Sequence, residues 1–252
     1  MDRVVHLALN SLKAIKVDQR INANNLANIQ VPGFKKDMPM ARSSTFLSAM
    51  DQYQSRVYVS SNDKMRFSDV EGYVERTEGK LDFAIRGEGY FFVEPAIGLG
   101  PALSRRGDFN LRSNGDLVDG AGNFLLDNNS KRINLPSAKR VIIDETGKII
   151  IEPFGSPEGT RQDAGILGTV AGQDLDLVKD SDGQIRPALG GMPLPNQQAI
   201  VLQGALEKSN AESLDALLRN IEGQRTFELN VKFFKNAEEL DKAGARIMAF
   251  PS

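Results

Sequence analysis

Cysteine is absent from the 252 residues, which removes disulfides, zinc–thiolate centres and thiol catalysis together. Histidine occurs once, as His6, so triad chemistry and imidazole ligation have a single group to build on. That residue sits inside a helical stripe, where a structural role outweighs a catalytic one. An excess of one charge is also missing: 31 basic against 33 acidic residues leave a net charge of −2. Polyanion binding demands a strong basic surplus, so no nucleic-acid partner is expected. No apolar run approaches the ~18–20 residues that span a bilayer. The opening MDRVVHLALN lacks the charged n-region, apolar h-region and small-residue cleavage site of a secretory signal. The expectation is a soluble chain without membrane insertion or a cleaved signal peptide.

Motifs that carry chemistry are missing in the same way. Gly147-Lys148 has neither the upstream glycine nor the following Ser or Thr of a phosphate loop, and Gly98-Leu99-Gly100-Pro101 reads as a plain loop. Asp180, Asp182 and Gly183 open like a calcium loop, but the twelfth position is Gly191 where a glutamate is required. Arg106-Gly107-Asp108 spells an adhesion tripeptide of a length that arises by chance. Nothing marks any two of the 33 acids as a glycosidase pair. We therefore assign no catalytic residue, no metal ligand and no cofactor, and expect a protein that is not an enzyme.

What is present is a change of texture along the chain. Residues 1–29 contain neither Gly nor Pro, residues 32–202 hold all but one of the 11 prolines and all but three of the 23 glycines, and 206–248 again lack Pro. Helices belong at the two ends and turn-linked strands in the middle. Val5, Ala8, Leu12, Ile15, Gln19, Asn22, Leu26 and Ile29 follow in steps of three and four, a seam of coiled-coil type that must stop near Val31, ahead of Pro32. Leu217, Ile221, Gln224, Phe227, Val231, Phe234, Ala237, Leu240, Gly244 and Ile247 repeat that grammar, with Ser209 or Asn210 as N-cap and Glu212 reaching back. A helix over 210–247 is roughly 55 Å long and needs something long to lie against.

The middle alternates in the manner of half-buried strands. Leu81, Phe83 and Ile85 lead through Gly87-Glu88-Gly89 into Tyr90-Phe91-Phe92-Val93, and Asn114-Gly115, Asp119-Gly120, Asp144–Lys148 and Lys179–Gly183 mark hairpin turns. Leu81, Ile85, Tyr90, Phe91 and Phe109 belong to the core of this body. The resulting fold class is α+β: N- and C-terminal helices (1–31 and 203–252) pair as a coiled-coil-like layer, with a central antiparallel β-rich domain (32–202) inserted between them. Apolar stripe left over after this pairing belongs to neighbouring subunits.

Four asparagines fall within Asn22-Ala23-Asn24-Asn25-Leu26-Ala27-Asn28, costly in a helix unless their amides have partners. They act either as end caps or as an amide network that fixes helix register. Pro32-Gly33 then turns the chain, Phe34 anchors it, and Lys35 and Lys36 are expected to be exposed. From Asn24-Asn25-Leu26-Ala27-Asn28 through Gly33-Phe34-Lys35 the sequence resembles the flagellar basal-body rod and hook proteins, although Val31 stands where that family has threonine. Leu81–Phe91 is similar to their LDxAIxGxGFF segment, and Arg106–Phe109 with Asn114-Gly115 and Leu117 to their RxGxF…GxL hairpin. Gln203–Asn210 is similar to QGxLExSN, and Gln224–Asn230 to QRxxExN. Five blocks in order cover almost the whole chain, and its length and opening favour a proximal-rod over a distal-rod or hook member.

The resemblance implies a structural subunit of the proximal rod in the periplasmic part of the basal body. It implies export through the flagellar type III apparatus, and proximal and distal rod proteins, with copies of the chain or its homologues, as partners in a helical assembly. Heterologous contacts that do not close give such an open helix. The residues assigned to assembly contacts are Leu12, Ile15, Asn22, Asn24, Asn25, Asn28, Gly33 and Phe34 at one end, and Leu217, Ile221, Gln224, Arg225, Phe227, Glu228 and Asn230 at the other. The terminal helices are expected to be partly disordered before assembly. A carbohydrate-active enzyme and a periplasmic binding or adhesin module are the competing readings.

Overall fold

The computed structural model describes residues 2–39, 65–98, 100–157, 159–173 and 175–248. The chain divides into two compact units, one holding both terminal helices and the other made of Asn28–Lys36 with Asp63–Ala211.

In the first unit, α1 (Asp2–Ala27) and α2 (Ser213–Met248) pack against each other. They run in opposite directions, since Asn22 meets Ala216 while Gln19 meets Gly223. The side chains of Val5, His6 and Ala8 on α1, and of Phe234, Ala237, Leu240 and Ile247 on α2, lie outside the described residues. Two helix ends differ from the sequence expectation. The helix stops at Ala27, four residues short of Val31, because the chain turns to i→i−3 bonding, with Val31 N donating to Asn28 O (3.1 Å) and Phe34 N to Val31 O (3.3 Å). Neither Ser209 nor Asn210 caps α2: Ser209 Oγ accepts from Ala211 N (3.1 Å), and Asn210 is committed to backbone groups of the β unit. The first helical bond instead runs from Ala216 N to Glu212 O at 3.0 Å.

The second unit is built from antiparallel strands. The largest sheet has the order β12 (Leu177–Lys179), β13 (Ile185–Pro187), β4 (Ala102–Ser104), β3 (Gly89–Glu94), β7 (Phe124–Leu125), β6 (Leu117–Asp119), β5 (Phe109–Leu111), and β11 (Thr169–Ala171) also pairs with β3. Beside it stand the sheet β10 (Gln162–Ile166), β9 (Lys148–Pro153), β8 (Ala138–Ile143), the ribbon β14 (Ile200–Gln203) with β2 (Phe83–Arg86), and the ribbon β1 (Val74–Arg76) with β15 (Ala205–Glu207). Strand β3 explains the unbroken apolar run Tyr90–Val93. Its alternating side chains serve two cores, Phe91 packing with Phe83, Ile85, Phe109 and Ile149, while Tyr90 and Phe92 pack with Phe67, Leu103 and Ile185. Leu81 sits half-buried at the edge of the first of these cores. The hairpin at Asn114-Gly115 forms as read, with Gly115 at φ +88°, as do those at 144–148 and 180–184.

Candidate functional site: a helical face and a buried charge hub

The asparagine cluster divides its labour within the helical unit. Asn22 Nδ2 donates to Ala216 O on α2 (2.6 Å), tying the two helices at one register. Asn25 is buried, and its amide meets one peptide group pair as a strand neighbour would: Oδ1 accepts from Asp37 N (2.7 Å) and Nδ2 donates to Asp37 O (3.0 Å). Exposed Asn24 donates to the Asp37 carboxylate at 2.6 Å. Asn28 is half-buried, its carbonyl closing the turn to Val31. Ile15 is buried and Leu12 half-buried on α1.

Helix α2 presents two unequal faces. Ala216, Asn220, Gly223, Phe227 and Val231, spaced by four and three, are its buried or half-buried stripe. Small residues at 216 and 223 let the helices approach closely, with Gly223 facing the Gln19 side chain. The packed seam shares Phe227 and Val231 with the one the sequence suggested but runs through Ala216, Asn220 and Gly223 in place of Leu217, Ile221 and Gln224. Leu217 and Ile221 are 48% and 49% exposed, and Leu214, Leu218, Leu229 and Phe233 are 69%, 53%, 65% and 57% exposed. Gln224, Arg225 and Glu228 are exposed with them, whereas Phe227 and Asn230 are half-buried, and Asn230 Nδ2 donates to Thr226 O at 2.8 Å. A broad apolar face thus lies open on the side of α2 opposite its seam.

In the β unit, the Gly33-Phe34-Lys35 and Glu207–Asn210 blocks meet. Gly33 (φ +66°) is buried, its N donates to Glu207 O (2.7 Å), and a Cβ there would sit 2.2 Å from Arg105 O, so only glycine fits. Phe34 lies half-buried under the Lys179 ammonium, 4.0 Å from its ring centroid. Lys35, expected to be exposed, is 2% exposed and donates to Glu207 Oε1 and Val70 O, both at 2.9 Å. Lys36 is half-buried, its N donating to Asn210 Oδ1 at 2.6 Å. Glu207, 1% exposed, also accepts from Arg105 Nε (2.6 Å) and Gly72 N (2.8 Å). The Arg105 guanidinium spends its other donors on the carbonyls of Gly87, Gly89 and Ile85.

One carboxylate thus holds two buried cations in a site that charge counting could not reveal. The signal was Glu207 itself, an acid in the alternating strand Ala205-Leu206-Glu207. Burial lowers the Lys35 pKa from the ordinary lysine value, opposed in part by Glu207. Burial likewise pushes the neighbouring Tyr90 phenol up, with Asp69 adding to the shift. No cluster of acids, histidine or cysteine suited to a metal ion occurs among the described residues, and no described helix is long and apolar enough to cross a membrane.

Paired terminal helices with an open apolar face, and a β unit braced by a buried ion cluster, describe a structural building block. Residues 84–151 match the family model of the flagellar hook protein FlgE/F/G D1 domain, and residues 202–247 that of the flagellar basal body rod FlgEFG protein C-terminal region. Along 96% of both chains the sequence is 30% identical to the flagellar basal-body rod protein FlgF of Caulobacter vibrioides. It is 26% identical to the rod protein FlgG of Bacillus subtilis (95% of this chain, 97% of the relative) and 24% identical to FlgF of Salmonella typhimurium (95% of each). The chain belongs to the flagellar basal-body rod protein family, and its role is that of a structural subunit of the rod.

Proposed function

We propose that this chain is a FlgF-type subunit of the proximal rod, assembling helically with homologous rod proteins to transmit torque. The observation that carries the reading is the open face of α2, where Leu214, Leu218, Ile221, Leu229 and Phe233 remain about half or more exposed. Fully burying such a side chain from full exposure yields ~1.5–3 kcal/mol, so covering these part-exposed residues adds stability to the helical unit when neighbours pack on it. In this reading α1 and α2 form a coiled-coil-like inner layer whose helices complete their folding on assembly, and the predicted residues Leu217, Ile221, Gln224, Arg225 and Glu228 contact adjacent subunits. Gly33, Phe34, Asn24 and Asn25 act one step back, holding the chain leaving α1 in its course. The subunit is exported by the flagellar type III apparatus and works in the periplasmic part of the basal body.

The distal-rod reading draws support from the FlgG relatives, which match over nearly the same length. A deletion strain tests the proposal: it should build no complete rod or hook and secrete no filament, and a motile deletion strain would end it. Labelled subunits retained in basal bodies that lack the distal rod separate the proximal from the distal assignment.

A further inference from the structure

Two hydrogen bonds from the hub and two from the chain just after Glu207 end on one irregular segment, Ser68–Tyr73. Val70 O accepts from Lys35 Nζ (2.9 Å) and Asn210 Nδ2 (2.8 Å), Gly72 N donates to Glu207 Oε1 (2.8 Å), and Tyr73 O accepts from Lys208 N (2.9 Å). At Gly72 a Cβ would overlap Lys208 O, so the segment is pressed directly onto the chain beneath. Val70 and Tyr73 point the other way, 70% and 76% exposed, and Asp69 is exposed beside them, while the half-exposed Glu71 carboxylate also lies 3.9 Å from the Arg105 guanidinium. Buried ion pairs add little stability over an apolar core of the same volume, and their best-attested use is to fix one geometry. Here the geometry fixed is an apolar and acidic strap held rigidly outward. Asp69 and Glu71 also line a cleft of ≈ 330 Å³ whose walls include Glu88, Asp176 and Tyr90 together with the hub cations Lys35 and Arg105.

The open face of α2 has the complementary character. Leu218, Ile221, Arg225 and Leu229 follow at steps of three and four on one stripe, with Lys232 next in line. Arg219 is paired with Asp215 at 3.0 Å, whereas Arg225 and Lys232 make no ion pair among the described residues. Apolar side chains flanking a cation on a helix fit apolar side chains flanking carboxylates on a strap.

We infer that the Ser68–Tyr73 strap of one copy docks on the Leu218–Leu229 face of α2 in a second copy, with Arg225 directed at Asp69 and Glu71. The contact is heterologous, using a different patch on each partner, so it propagates instead of closing a dimer. This inference rests on the rod-subunit reading and names the element that covers part of the open face.

The absence of cysteine makes a direct test simple. Full-length chain carrying Tyr73→Cys is mixed with full-length chain carrying Ile221→Cys at concentrations where the unmodified chain is also sedimented. With oxidised glutathione added as the two-electron oxidant, the expected product is a disulfide-linked heterodimer. Its yield falls at least tenfold when the Tyr73→Cys copy also carries Asp69→Lys, and returns when the Ile221→Cys copy then carries Arg225→Glu. Thermal unfolding of each variant reports that all of them fold. Absence of the cross-link, or a cross-link indifferent to both charge changes, overturns the strap contact, whether or not the unmodified chain self-associates. Failure of the rod reading shows separately, as motility in a strain lacking the chain.

Discussion

Replacing Glu207 by glutamine keeps the side-chain shape and an acceptor oxygen but removes the one buried carboxylate that Lys35 and Arg105 share, leaving only the half-exposed Glu71, 3.9 Å from Arg105, as counter-charge. Both cations are 3% exposed or less, and their contacts to Glu207 are 2.9 and 2.6 Å. Breaking a buried pair by removing one partner costs ~3–5 kcal/mol, a large part of the ~5–15 kcal/mol that holds a typical domain. At about 2–4 °C per kcal/mol for a domain of this size, the expected fall in Tm is roughly 10 °C. The assay is the thermal transition of the β-sheet circular dichroism signal in the full chain. Lys35→Met is the companion variant: it leaves Glu207 bonded to Arg105 and removes an ammonium already disfavoured by burial. It should cost clearly less, and the double variant should lose less than the two singles combined, since the two residues are in contact. A Glu207→Gln transition within about 2 °C of the unmodified chain would refute the idea that this carboxylate compensates two buried charges.

Other consequences are independent of the hub's charge. Gly33→Ala forces a Cβ against Arg105 O at positive φ and should destabilise by more than about 2 kcal/mol, whereas Gly183→Ala, at φ +77° with open space around it, should cost about 1 kcal/mol; urea unfolding compares them. Asn25→Leu removes both partners of the Asp37 peptide and should cost ~1–3 kcal/mol, with loss of hydrogen-exchange protection at the Asp37 amide. The Asp144 carboxyl is held below the ordinary carboxylate range: burial works to raise it, but the Thr146 hydroxyl and the N–H groups of Lys148 and Thr146 together outweigh that. A lowered folded pKa gives stability that is complete above the unfolded value and lost as pH falls through the folded one, so Asp144→Asn should lower stability at pH 7 and make its decline below the ordinary carboxylate pKa shallower. Leu218→Ser with Ile221→Ser should change Tm by less than about 2 °C, yet abolish motility in a complemented deletion strain.

The sequence carried most of the fold because its signals were local. Helix ends without Gly or Pro, hairpin turns at Asn114-Gly115 and Asp144–Lys148, and the apolar run through Tyr90–Val93 each follow from backbone chemistry within a few residues. What it did not carry was long-range pairing. Lys35 read as exposed because a lysine after Pro-Gly-Phe ordinarily is; its burial depends on Glu207, which stands 172 positions away. Ser209 and Asn210 had the look of caps, but Asn210 was already required by Lys36, Ser68 and Val70. The α2 seam shifted for a related reason. Periodicity marks the greasiest stripe, whereas close helix packing selected the stripe with Ala216 and Gly223 and left the leucines outside.

The central claim is that the open face of α2 exists to be covered by other subunits. Side-chain footprinting measures it directly, by comparing labelling of Leu218, Ile221 and Leu229 in the isolated chain with labelling in purified basal bodies. Strong labelling in isolation and at least tenfold protection in the basal body is the predicted result. Equal labelling in both would contradict the account.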